Sequence, residues 1–134
     1  LIFNYRKFFL VLWYAFLSGV LSRLVLTETI RHLYYHPRPF DALQVNLLIP
    51  HESTASFPSG HAAFYFAIGF YLFFKNKKIG SYALISAFLI SWARVYIGIH
   101  WPFDIVAGMI VGLISALVIL KFENRRNRKR AIRS

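Results

Sequence analysis

The chain has 134 residues, 57% hydrophobic and 19% aromatic, with a mean hydropathy of +0.50, which takes it outside the range of an ordinary soluble domain and suits one compact unit. Sixteen Lys and Arg against five Asp and Glu give a net charge of +11, so an acidic partner is expected: nucleic acid, anionic lipid or a phosphorylated substrate. The absence of cysteine excludes a disulfide framework and a thiolate metal site.

Four apolar stretches follow one another at residues 8–26, 62–74, 79–99 and 105–120. Roughly 20 apolar residues cross the hydrocarbon core as a helix, and the second stretch reaches that length only with Pro58 to His61 as its polar end. None has the polar face that a helix of a soluble bundle would carry. The expected fold is therefore all-α, a polytopic transmembrane helix bundle with about four spans in this chain. The first residue is Leu1 rather than Met, which suggests processing or an excised segment and leaves room for an upstream hydrophobic helix.

Charge placement orients the bundle. Arg6 and Lys7 precede the first stretch, Lys75, Lys77 and Lys78 separate the second from the third, and seven more basic residues lie in 121–133. With alternating spans all twelve fall on one side, which the positive-inside rule makes the cytoplasm. The chain thus divides into a membrane-embedded domain, 1–122, and a basic cytoplasmic tail, 123–134. The tail reads as disordered or lying on the inner leaflet, where anionic lipid attracts each basic residue by about 1 kcal/mol; nucleic acid is not the expected partner. The loop 34–57, with Pro37, Pro39 and Pro50, and the segment around His100 then share the extracytoplasmic face.

On that face stand three polar groups inside hydrophobic sequence: Arg31 with Arg38-Pro39, then Pro58-Ser59-Gly60-His61, then Arg94, His100 and Asp104. Such groups are costly at membrane depth and mark cavities or partners. Three guanidiniums suit phosphate oxygens. Ser59 occupies an N-cap position and Gly60 bares the backbone of the following helix, whose first N–H groups make an anion site. Taken alone, Ser-Gly before a helix is only a cap.

Two histidines beside a phosphate suggest a neutral nucleophile and a protonated acid. Pro102 suits the first position of a helix, so Asp104 lies in its first turn, four residues after His100, where it can accept the imidazole N–H and stabilise the cation formed on attack. That makes His100 the nucleophile and His61 the acid. Taken singly, each histidine reads as a hydrogen-bonded interfacial residue, and a zinc site from His61, His100 and Asp104 with His32, His36 or His51 is the competing chemistry. The three arginines oppose a dication, so no metal and no cofactor is expected.

The spacing of these groups resembles the type 2 phosphatidic acid phosphatase superfamily of lipid phosphatases and related haloperoxidases. A basic residue, six others and Arg-Pro match Arg31 to Pro39; Pro-Ser-Gly-His matches Pro58 to His61; Arg, five residues, His, three residues, Asp matches Arg94 to Asp104. The first motif commonly begins with Lys, here Arg31, and the third commonly has Ser before its Arg, here Ala93. The resemblance implies a metal-independent phosphatase with a phosphohistidine on His100, His61 as acid, Asp104 supporting, and Arg31, Arg38, Arg94, Ser59 and Gly60 holding phosphate. Members usually have six spans.

The stretch Val45-Asn46-Leu47-Leu48-Ile49-Pro50-His51 before Ser56-Phe57-Pro58-Ser59 is similar to bacterial undecaprenyl diphosphate phosphatases, which often carry Asp at the position of Gly60. The resemblance implies a bacterial plasma (inner) membrane location, an extracytoplasmic active site and a phosphorylated lipid substrate. Phosphatidylglycerophosphate, phosphatidic acid and lipid A phosphate are the alternatives, and a noncatalytic phospholipid-binding module is the alternative of another class.

Elsewhere, Arg23 lies inside the first apolar stretch, where a lone charge costs about 3 kcal/mol unless partnered. A structural role is at least as well supported for it as a catalytic one. Glu28, three residues before Arg31, reads as its helix-face partner. Gly108 and Gly112 form a small-xxx-small pair for close helix packing, read as packing within the bundle.

Overall fold

The computed structural model describes residues 5–43 and 54–132, and every regular element among them is helical. α1 (Tyr5–Val20) passes without a break into a π-helical stretch, Leu21–Thr27, and then α2 (Glu28–Leu33). The first stretch is thus a single helix of 29 residues, longer than its apolar core because Glu28, Arg31 and His32 extend it as polar last turns. A short α3 (Pro39–Leu43) follows. The residues 45–51 quoted above lie outside the described residues.

α4 (Gly60–Lys75) begins at Ser59, whose side chain accepts from the Ala62 N–H. α5 (Lys77–Tyr96) begins at Asn76, which caps it in the same way through Ile79 N. α6 (Pro102–Ala131) starts with proline in its first turn, a position where no N–H is required. It continues unbroken through Arg125, Arg126, Arg128, Lys129 and Arg130, so this part of the basic segment is helical, where sequence alone suggested a segment disordered or lying on the inner leaflet.

Three helical lengths, Tyr5–Leu33, Lys77–Tyr96 and Pro102–Ala131, are long and apolar enough to cross a membrane. α4, the second of the four expected spans, is shorter than the other three. Its 16 residues make about 24 Å, short of the ~30 Å hydrocarbon core. It lies at the centre, packed by α1, α5 and α6, so its neighbours are largely protein. Ala62, Ala63, Ala67 and Gly69 are buried there, and small side chains let backbones approach.

The approach is closest against α6. A Cβ on Gly108 would lie 2.7 Å from Ser59 O, and one on Gly112 would lie 2.8 Å from Ala67 N. This pair packs within the bundle, as expected from sequence. The outer faces carry large apolar side chains, among them Phe9, Leu24, Leu89 and Ile110, each more than 50% exposed. Such a surface fits lipid and would be unfavourable in water.

The two ends of the bundle are polar in different ways. At one, Glu123 is buried, accepting from Tyr71 Oη at 2.8 Å and pairing with Lys75 Nζ at 2.6 Å. Arg126 Nη1 donates to Tyr14 Oη alongside, at 3.1 Å. The other end gathers the C-termini of α2 and α5 with the N-termini of α4 and α6. Loop 54–59 is fastened there by Ser56 N to His36 O at 2.8 Å, and Phe57 stacks on Phe103 with ring centroids 5.2 Å apart.

Candidate active site

A cavity of about 730 Å³ opens at this second end, lined by Arg31, Arg38, Gly60, His61, Arg94 and His100 together with Arg23, Glu28, His32, Thr54, Ala55 and Ile99. Six of the eight site residues expected from sequence therefore line one space. Ser59 and Asp104 stand behind it, both fully buried: Ser59 as the helix cap, Asp104 against the far side of His100.

His100 reaches the cavity because the chain turns sharply after α5. Gly98 takes a positive φ of 76°, which glycine adopts without steric cost. The Ile99 and His100 N–H groups both return to Arg94 O, at 3.1 and 3.2 Å. This local fold explains the Arg94 to His100 spacing. The turn brings both residues to the cavity wall.

The imidazole is polarised from behind. Its Nδ1 lies 3.3 Å from Asp104 Oδ2 and its Nε2 3.5 Å from Arg38 Nη1. With Nδ1–H directed to the carboxylate, the Nε2 lone pair faces the cavity, the tautomer a nucleophile requires. Burial pushes the His100 pKa below its ordinary 6.5; the Asp104 hydrogen bond works against this and the Arg38 charge with it. The neutral ring is thereby favoured.

Asp104 Oδ2 also accepts from the Trp101 backbone N–H at 2.9 Å and from Ser56 Oγ. Ser56 is fully buried and its Oγ stands 3.3 Å from His100 Nδ1. In the sequence Ser56 stands only as part of the stretch before Pro58 and has no role assigned to it, because a serine two positions before that proline has no spacing signal of its own. Ser59 N donates to Asp104 O at 3.0 Å, locking the start of α4 to the start of α6.

The arginines differ in how they are held. Arg38 is 3% exposed; Nε and Nη2 donate to Thr54 O and Oγ1 at 3.0 and 2.9 Å, and Nη1 to Ile99 O at 3.2 Å. It therefore clamps both cavity-wall loops while its charge stays beside His100. Burial lowers its pKa, Arg31 acting in the same direction. Arg31 Nη2 donates to Pro58 O at 3.1 Å and Nη1 to Glu28 Oε1 at 3.3 Å, the partner expected for it. Arg23 also pairs with Glu28, so the lone cation of the first stretch is partnered, and it lies in the cavity wall.

His32 Nδ1 is 2.8 Å from Glu28 O, and His36 packs between Tyr34 and Trp101, with ring centroids 6.2 and 6.3 Å away. His51 lies outside the described residues. No group of three or more His, Cys, Asp or Glu side chains suited to a metal ion occurs among the described residues.

Sequence comparison finds the chain 36% identical over 111 residues to the undecaprenyl-diphosphatase BcrC of Bacillus subtilis (strain 168), covering 83% of this chain and 57% of that protein. The chain thus spans little more than half of that relative. Among solved structures, LpxE of Aquifex aeolicus superposes with a TM-score of 0.72 at 31% identity, over 89% of this chain and 78% of LpxE. A transmembrane PAP2 type phosphatidylglycerolphosphate phosphatase of Bacillus subtilis shares the fold with a TM-score of 0.61 at 23% identity, over 92% of this chain and 71% of that one. The PAP2 superfamily pattern matches residues 9–128, and this multi-pass membrane protein belongs to the PAP2 superfamily.

Proposed function

We propose that the protein is an integral membrane lipid phosphatase that hydrolyses undecaprenyl diphosphate through a phosphohistidine intermediate, without a metal. The observation that carries this reading is His100, buried with Nδ1 on Asp104 and Nε2 toward a cavity lined by arginines. A neutral imidazole held in that tautomer is a nucleophile, and the guanidiniums supply charge for a phosphoryl group in flight.

In the first step Nε2 attacks the terminal phosphorus and the bond from phosphorus to the bridging oxygen breaks. The leaving oxygen takes a proton from His61, and Asp104 stabilises the phosphoimidazolium. In the second step water attacks the phosphohistidine, giving its proton to His61 and releasing inorganic phosphate. The sum is diphosphate plus water giving monophosphate plus phosphate. Arg31, Arg38 and Arg94 hold the phosphoryl oxygens, with Ser59 and Gly60 presenting the N-terminus of α4.

The diphosphate reading draws on likeness to BcrC, an undecaprenyl-diphosphatase. Phosphatidylglycerophosphate, phosphatidic acid and lipid A phosphate are the alternatives at the same site. Charge asymmetry supports an extracytoplasmic active site in a bacterial inner membrane, with basic residues 123–134 as the cytoplasmic tail. The test is phosphate release by the purified protein from a panel of these lipids, with His100→Ala alongside and excess chelator in parallel. Release from undecaprenyl diphosphate that survives chelator and is lost in H100A is expected. Unchanged turnover in H100A overturns the nucleophile, and activity restored only by added zinc overturns the metal-free chemistry.

A further inference from the structure

We infer that Arg23 binds the second phosphate of a diphosphate substrate, on the leaving-group side of the reaction, and so favours lipid diphosphates over lipid monophosphates. This rests on the phosphatase reading above. Arg23 lies outside the three motif groups, and a mid-helix arginine in a membrane span would be expected to face away from lipid toward a partner or a cavity.

Here it faces both. The π-helical stretch Leu21–Thr27 carries Arg23; widened turns of this kind re-aim side chains and are frequent at functional sites. The guanidinium packs against the first residue of α4, where a Cβ on Gly60 would lie 2.5 Å from Arg23 Nε and 2.9 Å from Cζ. Only the bare Gly60 backbone leaves that position open. Glu28 accepts from Nη1 of both Arg23 and Arg31, so one carboxylate fixes the two guanidiniums side by side.

A second, smaller space adjoins the same residues. A space of about 200 Å³ is lined by Arg23, Gly60, His61, Phe64 and Tyr65, and its first three residues also line the main cavity. Arg23, Gly60 and His61 thus stand in the walls of both spaces, and His100 lines the larger one alone. If His61 protonates the leaving oxygen, that oxygen lies on the Arg23 side of the main cavity. In a diphosphate it is bonded to the second phosphorus, which places the second phosphate beside Arg23. The carbon chain then continues toward Phe64 and Tyr65, the latter 36% exposed on the bundle surface.

When the bond from the terminal phosphorus to the bridging oxygen breaks, that oxygen leaves as part of a monophosphate and takes its proton from His61. Its developing charge is spread over a phosphate within reach of Arg23. A monophosphate lipid leaves as an alcohol and offers Arg23 nothing anionic, so the discrimination is chemical.

The experiment compares kcat/KM of the detergent-purified protein on an isoprenyl diphosphate and on the monophosphate of the same isoprenoid. Loss of a charge-assisted contact predicts that Arg23→Gln lowers the diphosphate-to-monophosphate ratio by about 10- to 100-fold, with Arg23→Lys in between. A ratio unchanged within about twofold in both variants overturns the assignment while leaving the phosphatase reading intact. A wild-type protein inactive on both lipids overturns that reading, and this inference with it. Should Arg23→Gln fail to fold, competition on the wild type decides: pyrophosphate should inhibit monophosphate hydrolysis at least about tenfold more tightly than phosphate, and equal inhibition overturns the assignment.

Discussion

Ser56 Oγ donates to Asp104 Oδ2, the same carboxylate oxygen that lies 3.3 Å from His100 Nδ1. One oxygen thus orients the imidazole while a buried hydroxyl orients that oxygen. Ser56→Ala removes the hydroxyl and leaves the carboxylate one donor short in a fully buried place. The variant is expected to lose about 1–3 kcal/mol of orientation, seen as roughly a 5- to 150-fold fall in kcat with KM changed far less. Steady-state kinetics on a lipid phosphate check it, and a fall confined to KM would count against the relay.

The pH dependence follows from His100. Its folded pKa lies below the ordinary 6.5 because burial disfavours the charged ring. A nucleophile must be neutral, so the acid limb of kcat/KM assigned to this group should fall at a pH below 6.5. Stability moves the same way. Below about 6.5 the unfolded chain binds a proton that the folded ring resists, so this contribution is fully present above the unfolded pKa and is lost as pH falls through the window beneath it. Rate and thermal-melt profiles from pH 4 to 8, roughly the range spanning that limb, test both signs.

Packing at Gly108 couples stability to the site. A methyl there meets Ser59 O at 2.7 Å and Ala62 Cβ at 2.8 Å, so Gly108→Ala must push α4 away from α6. Overpacking of this kind costs about 1–3 kcal/mol. Because Ser59 N is held by Asp104 O at 3.0 Å, activity should fall together with melting temperature. A stable, fully active Gly108→Ala variant would show that this contact is not tight.

Topology is open to direct labelling, since the chain contains no cysteine. Tyr35, 66% exposed beside the site loops, and Lys78, at the start of α5, lie at opposite ends of the bundle. With an extracytoplasmic site, a Tyr35→Cys variant should react with an impermeant thiol reagent in intact cells and a Lys78→Cys variant only after permeabilisation. The reverse pattern would invert the proposed orientation.

Much of this was legible in the sequence because it depends on quantities that add along the chain. Apolar runs long enough for lipid, basic residues collected on alternate connections, and the spacing of Arg31, Arg38, His61, Arg94, His100 and Asp104 need no knowledge of which helix touches which. The tertiary structure decided what depends on contacts between distant segments: that Ser56 reaches Asp104 across 48 positions, that Arg38 directs its donors to Thr54 and Ile99, and that α4 lies at the centre of the bundle. It also decided that Arg23 turns to Gly60, because a π-helical turn changes the facing of a residue without any mark in hydropathy. Local sequence sets which groups are too costly to leave in lipid; packing alone selects the partner each one meets.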